Sequence, residues 1–154
     1  ALGRQHQQGM TDHAPIDGLA FWLGSWECTW EGGHGTNEIT LELGGHVIVE
    51  RFESLAPERF TGLSVSVPDP TADGWRQTWV DSTGSYWHFV GGPRPDGTFV
   101  FATPEPVDAD RLYKRMVFSA IAADGFDWRW EASPDGAAWQ RRWAIVYHRR
   151  DAAP

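Results

Sequence analysis

The feature that most constrains this chain is the spacing of its turn residues. From Trp26 onward, short runs of alternating apolar and polar residues are separated by clusters of Gly, Pro and Asp. The clearest run is NEITLEL, residues 37–43, in which Asn37, Ile39, Leu41 and Leu43 share one face. Parallel strands need a long crossover, and no segment here is a helix of that length, so the spacing predicts antiparallel strands joined by hairpins.

Counting these runs predicts about ten strands and a short helical turn at residues 16–23, where the chain reads IDGLAFWL. So long a meander must either form two packed sheets or close on itself, and closure removes the exposed edge strands. The sequence therefore predicts an all-β fold, an antiparallel up-and-down calycin-like β-barrel. The predicted strands are residues 26–30, 37–43, 46–54, 62–67, 75–81, 85–90, 98–102, 111–121, 126–132 and 139–150.

Domain organisation is predicted to be simple. The length of 154 residues and a hydrophobic content of 41% suit one domain with its own core. We assign that domain to residues 15–150, because no linker, repeat or low-complexity tract interrupts it. Residues 1–14 are expected to be disordered or vector-derived, since Met10 resembles a natural start.

Charge and composition restrict the partners. A net charge of -8 and a pI of about 5.1 argue against nucleic acid, which needs a basic face. No apolar run reaches the roughly 18 residues of a membrane helix, and no signal peptide is visible, so we expect a cytoplasmic protein that does not bind membranes. Cys28 is the only cysteine, which excludes an intramolecular disulfide. We expect a monomer or a homodimer.

Several motifs carry a resemblance to known families. Gly24-Ser25-Trp26 together with Arg149 is similar to the signature of lipocalins and other calycins, in which an Arg from the last strand lies across a Trp of the first. The wider pattern resembles the DUF1579 family of small bacterial proteins, whose function is not established. It consists of FWLGSW, GTNEITLELGGHVIVERFE, WVDSTG, KRMVF, DGFDWRWEASPDG and IVYHRR, between residues 21 and 150. The resemblance implies a calycin-type barrel and no particular reaction.

The related nitrobindins share that barrel and bind haem through a late His. His148 is the only late candidate here, and it lies among arginines, so we expect no cofactor and keep haem as a minor alternative. The six His show no metal-binding spacing, which predicts no metal site. Phosphate-binding loops and nucleophile elbows are also absent from the sequence.

Aromatic content gives the main indication of function. Ten Trp, eight Phe and three Tyr are more than a small core requires, so they indicate either an aromatic-lined cavity or a Trp-rich core. The leading hypothesis is binding of a small, largely apolar ligand, aromatic or carboxylate-bearing, in the barrel cavity. The indoles predicted to contact it are Trp75, Trp79, Trp87, Trp128 and Trp130.

Three polar residues are predicted to orient that ligand: Tyr147, Arg149 and Arg115. Tyr147 and Arg149 stand two apart on the last strand, the arrangement with which fatty-acid-binding calycins hold a carboxylate. Alternatively, Arg149 closes the floor of the barrel and Tyr147 packs in the core.

A rival hypothesis is an enzyme, a lyase, isomerase or cyclase, that uses Asp81, His88 or Glu50 to move a proton. Asp81 shares a strand face with Trp79, and it would form a dyad with His88 if Asp81 and His88 faced each other across the hairpin. Alternatively, Asp81 caps the turn that follows the strand. Glu50 would form a buried ion pair with Arg115 if it pointed inward, and the alternative is an ion pair on the surface. A third possibility is a barrel filled by its own side chains.

Overall fold

The chain folds into one closed barrel of antiparallel strands. The computed structural model describes residues 14–71 and 74–150, and in these each strand pairs with its neighbours in sequence while the first pairs with the last. The strands are β1 (Gly24–Trp30), β2 (Gly33–Glu42), β3 (Val47–Ala56), β4 (Phe60–Asp69), β5 (Gly74–Asp81), β6 (Tyr86–Pro93), β7 (Phe99–Ala102), β8 (Tyr113–Ala122), β9 (Gly125–Ser133) and β10 (Gln140–Arg149). The prediction of an all-β up-and-down barrel is confirmed, and the architecture is consistent with a calycin-like fold.

Helix is confined to the chain leading into β1. A single helical turn, α1 (Ala14–Asp17), is followed by a 3-10 turn at Ala20–Trp22, close to the turn predicted at residues 16–23. In the described part of the chain, no helix has the length and apolar character needed to span a bilayer. The prediction about residues 1–14 falls almost wholly outside the described residues.

The glycine segment before β2 differs from its prediction. The predicted strand began at Asn37 and left Gly33 and Gly35 in the preceding turn, yet both glycines belong to β2. A Cβ on Gly33 would overlap the Trp30 indole, and one on Gly35 would overlap the backbone carbonyl of Glu53. These glycines therefore permit close approach inside the sheet, and the turn itself is limited to residues 31 and 32.

Alternation along the strands decides what faces the interior. On β2, Asn37 and Ile39 are buried while Glu38 and Thr40 are exposed, as the pattern predicts. Leu41 shares their face but is exposed, because β2 ends one residue later and the hairpin carries this end of the strand beyond the barrel.

One end of the barrel, here called the floor, is closed by the segment that precedes β1. Leu19 and Trp22 are buried, and the Trp22 carbonyl accepts a hydrogen bond of 2.8 Å from the Trp26 indole. The Arg149 guanidinium lies 4.2 Å from the centre of the Trp26 ring and donates to the carbonyl oxygens of Leu23 and Ala123 at 2.7 and 2.8 Å. Arg149 thus joins the first strand, the last strand and the β8–β9 turn, which confirms its alternative assignment as the floor residue.

Candidate functional site

An apolar cavity occupies the half of the barrel away from the floor. Its volume is about 180 Å³, and strands from around the circumference contribute to its wall. We call the open end, formed by the β3–β4, β5–β6 and β9–β10 turns, the mouth. The lining residues are Glu50, Phe52, Phe60, Trp79, Asp81, Trp87, Phe89, Met116, Trp128, Trp130, Trp143, Ile145 and Tyr147.

Five indoles dominate this wall, and each remains partly exposed to solvent through the mouth. Trp87 and Trp130 stack at 5.1 Å between ring centres, and Trp128 meets the edge of Trp143 at 5.5 Å. Of the indoles predicted to contact a ligand, four lie here: Trp79, Trp87, Trp128 and Trp130. The rings hold one another in place while leaving faces open to the cavity.

Trp75 does not belong to this set. It points inward as predicted, but from the floor end of β5, where it is buried edge-on against Phe99 at 6.0 Å. The strand rises about 3.3 Å per residue, so a separation of four residues places Trp75 and Trp79 in different halves of the barrel.

Trp79 is positioned by two features of its neighbours. Gly62, on the adjacent strand, has no side chain, and a Cβ there would overlap the Trp79 ring. The Trp79 indole also donates a 2.9 Å hydrogen bond to Asp81 Oδ2. The ring therefore lies against the wall formed by β4, and the centre of the barrel stays open.

Asp81 is a structural cap at the mouth. Its Oδ1 accepts hydrogen bonds from the Thr83 hydroxyl and from the backbone N–H groups of Thr83 and Ser85, at 2.6 to 3.3 Å. Partial burial raises the pKa of Asp81, but the hydrogen bonds from Thr83, Trp79 and Ser85 outweigh it, and the pKa is lowered. The turn-cap alternative is therefore the one that the structure bears out.

The hypothesis of an Asp81–His88 dyad is wrong. His88 pairs with Thr78 across the β5–β6 hairpin and lies exposed on the outer surface, while Asp81 faces inward at the end of β5. Adjacent strands with this register place the two side chains on opposite faces of the sheet. His148, the late His considered for haem, also lies exposed on the outer surface.

Glu50 supplies the deep polar group of the cavity. It is 7% exposed, and its two carboxylate oxygens accept hydrogen bonds of 2.7 Å from Asn37 Nδ2 and from Ser64 Oγ. Burial raises the pKa of Glu50, and these two hydrogen bonds oppose the shift without cancelling it. Glu50 therefore points inward, which is the orientation that the predicted ion pair with Arg115 required.

The predicted ion pair between Glu50 and Arg115 is wrong. On β8 the inward positions are taken by Lys114, Met116 and Phe118, so Arg115 projects from the outer surface. Lys114 is buried outside the cavity lining, and its ammonium group donates a 2.6 Å hydrogen bond to Asp110. On the outer surface the Arg115 Nε donates to Glu131 at 2.7 Å, and the Arg115 guanidinium lies 4.1 Å from the Trp139 ring centre. Arg115 is consequently unavailable to a ligand in the cavity.

Tyr147 lines the cavity beside Glu50, without the arginine partner that was predicted. Its ring stacks on Phe126 at 4.3 Å, and its hydroxyl accepts a 3.0 Å hydrogen bond from Asn37 Nδ2. Cys28 is its cross-strand partner on β1. Burial raises the pKa of Tyr147 and that of Cys28, so both groups are neutral at ordinary pH. Arg149 is occupied at the floor, and the predicted carboxylate-binding pair is not formed.

Sequence reasoning missed the polar residues that hold Glu50. Asn37 was placed on the face of Ile39, and an amide on an otherwise apolar strand face was the available signal. Ser64 gave none, because Ser64 and Ser66 alternate with larger apolar residues and read as the solvent face of β4. The two serines are in fact inward and fully buried, where their small size leaves room for Glu50 and Gln77.

The electrostatic character of the cavity is acidic. Glu50 and Asp81 are the charged residues in its lining, and no Lys, Arg or His among the described residues lines it. The described residues also contain no group of three or more His, Cys, Asp or Glu placed to hold a metal ion.

Comparison with known proteins adds no assignment. No protein-family model matches the chain, and a search of curated proteins gives no match. The resemblance to the DUF1579 family therefore stays a prediction.

Proposed function

We propose that this protein binds a small, largely apolar, aromatic ligand in the barrel cavity. The observation that carries the proposal is a cavity of about 180 Å³ whose wall is built mainly of partly exposed indoles. Large apolar side chains that line an accessible cavity are typical of ligand sites, since they would otherwise be packed against each other. The volume suits one aromatic ring with a short substituent, because a cavity of about 150 Å³ accommodates benzene.

The arrangement argues against two of the earlier alternatives. A barrel filled by its own side chains would have no space of this size between Trp128, Trp143 and Phe60. A carboxylate-bearing ligand would meet Glu50 without a cation to pair with, since Arg115 and Arg149 are engaged elsewhere.

Thermal unfolding with a neutral single-ring probe, 2-phenylethanol, tests this proposal. At a free concentration of about 100 times its Kd, a ligand stabilises the native state by about 2.7 kcal/mol. For a domain of this size that is a rise in Tm of roughly 5–10 °C.

The matched variants are Ile145→Phe, which adds volume to the cavity wall, and Val146→Phe, which adds the same ring on the outer surface. We expect Val146→Phe to keep the probe-dependent rise and Ile145→Phe to lose it. Equal responses in both variants would place the probe outside the cavity.

A second candidate function is supported by Glu50. A carboxyl group with a raised pKa inside an apolar cavity is suited to general acid–base catalysis of a lyase or isomerase reaction. Of the three residues first considered for such a role, Glu50 alone combines burial with access to the cavity. Turnover of a candidate substrate that vanishes in Glu50→Gln, while binding persists, would favour the enzyme over the binding module.

A further inference from the structure

The charge of the cavity bears on which ligands it can hold. Both charged groups in its lining, Glu50 and Asp81, are carboxylates, and the chain as a whole carries a net charge of -8. In a site shielded from water, a cation is attracted by such groups and an anion is repelled.

Among the described residues, no cationic side chain lies against Glu50. The side chains around it are Cys28 from β1, Asn37 from β2, Ser64 from β4 and Tyr147 from β10, and none of them is positively charged. A buried carboxylate without a cationic partner is unfavourable, so a cation entering the cavity would remove an electrostatic penalty and would gain a hydrogen-bond acceptor.

The polar atoms around Glu50 that can still form hydrogen bonds are acceptors. Each oxygen of Glu50 accepts one hydrogen bond from a side chain and has a further lone pair, and Asn37 Oδ1 is buried without a hydrogen-bond partner among the described residues. A buried acceptor with no donor requires an explanation. Glu50 lines the cavity, and Asn37 lies directly behind it and outside the lining. An ammonium group has three donors and no acceptor, and so complements the oxygens of Glu50.

The walls supply the second element of cation recognition. The faces of indole rings attract cations, and this attraction strengthens when water is excluded. Trp79, Trp128 and Trp143 approach the same cavity as Glu50 from β5, β9 and β10. A carboxylate combined with several indoles thus favours a ligand that is both aromatic and cationic.

We propose that the natural ligand is a small aromatic amine, whose ammonium group pairs with Glu50 and whose ring packs among the indoles of the cavity. This inference rests on the proposed binding function and specifies its ligand class. With a volume of about 180 Å³, the cavity fits one ring and a two-carbon arm, the size of 2-phenylethylamine.

Isothermal titration calorimetry at neutral pH with three probes of matched shape tests the ligand class: 2-phenylethylamine, 2-phenylethanol and phenylacetate. We expect the amine to bind about tenfold or more tightly than the alcohol, and the acid to bind most weakly. Glu50→Gln should reduce the affinity for the amine to that for the alcohol, with the affinity for the alcohol changed by less than about threefold.

Glu53→Gln is the matched control, because Glu53 lies on the same strand three residues on, is exposed, and faces the outside beside Arg59. It should bind all three probes as the unaltered protein does. Melting curves establish that both variants fold. Should Glu50→Gln fail to fold, the ranking of the three probes on the unaltered protein still decides the question.

The outcomes separate the two proposals. Binding of the alcohol or the acid at least as tightly as the amine would overturn the amine assignment and leave the binding function standing. Failure of all three probes to bind would overturn both. An amine preference that survives in Glu50→Gln would assign recognition to another group and would also overturn the inference.

Discussion

The two halves of the barrel use the same residue types for different purposes. Around the floor, rings such as Trp26 and Phe126 are buried and pack closely, these two edge to face at 4.9 Å. Towards the mouth, indoles such as Trp87 and Trp130 are partly exposed and leave a cavity between them. The difference lies in what covers each end. The segment before β1 inserts Leu19 and Trp22 into the floor half, and the described residues place no comparable plug in the mouth half.

Aromatic content alone therefore does not distinguish a core from a binding site. Stability should depend on the floor half and ligand binding on the mouth half. Three predictions test that division, from the largest expected effect to the smallest.

The largest effect is expected from truncating an indole in the floor half. Trp26→Ala removes a ring that is completely buried and supports Arg149, and should destabilise the protein by about 3–5 kcal/mol. Trp128→Ala, in the mouth half, should lower stability by only about 1–2 kcal/mol, because its ring is partly exposed and already borders a cavity.

Urea unfolding of the two variants measures this difference directly. Probe binding should show the reverse order, with Trp128→Ala losing more affinity than any variant of the floor half that remains folded. Equal destabilisation by the two substitutions would remove the distinction between the halves.

An intermediate effect is expected for Arg149→Lys. A lysine keeps the charge but loses the planar fork that bonds the carbonyls of Leu23 and Ala123 while covering Trp26, so stability should fall by about 1–3 kcal/mol. The control is Arg150→Lys, whose exposed ion pair with Glu27 should contribute less than about 1 kcal/mol. Equal Tm values for the two variants would contradict the assigned role of Arg149.

The smallest effect is expected from Glu50→Gln, and its sign depends on pH. Because the folded state raises the pKa of Glu50, ionisation destabilises the fold. This penalty is absent below the unfolded pKa of about 4.3 and grows as pH rises towards the folded pKa. Without ligand, Glu50→Gln should gain stability relative to the unaltered protein as pH increases from acid to neutral.

Asp81→Asn provides the contrast, because the pKa of Asp81 is lowered in the folded state. Its hydrogen bonds stabilise the fold above the unfolded pKa of about 3.9, and this contribution is lost as pH falls through the lower folded pKa. Melting temperatures recorded between acid and neutral pH should therefore diverge in opposite directions for the two variants. A parallel pH dependence would show that Glu50 is not a desolvated carboxyl.

Much of the barrel could be predicted because its signals are local. Two signals located every strand to within a few positions: alternation, as along β2 and β5, and the Gly, Pro and Asp turns between strands. Both depend only on neighbouring residues. The contact of Arg149 with Trp26 at the floor was predicted from the resemblance to calycins, and the structure confirms it.

The candidate site was predicted less completely, because it depends on depth and on partners far apart in sequence. Trp75 and Trp79 share a strand face, yet they lie in different halves of the barrel. His88 and Arg115 were predicted to face the interior, but the register of β6 and β8 places both side chains on the outer surface. Asn37, Ser64 and Tyr147 converge on Glu50 and Cys28 from separate strands, which alternation alone does not indicate.

The sequence by itself determined the fold class, the number of strands and the aromatic character of the interior, since these follow from local periodicity and composition. Tertiary structure decided which carboxylate is buried, which arginines are engaged, and where the cavity remains open. The physical reason is that closure of the sheet sets one register for all strands, and a shift of a single residue would exchange the inner and outer faces. Closure therefore leaves Glu50 buried with no cation beside it among the residues that the structure describes, and the proposed ligand class follows from that position.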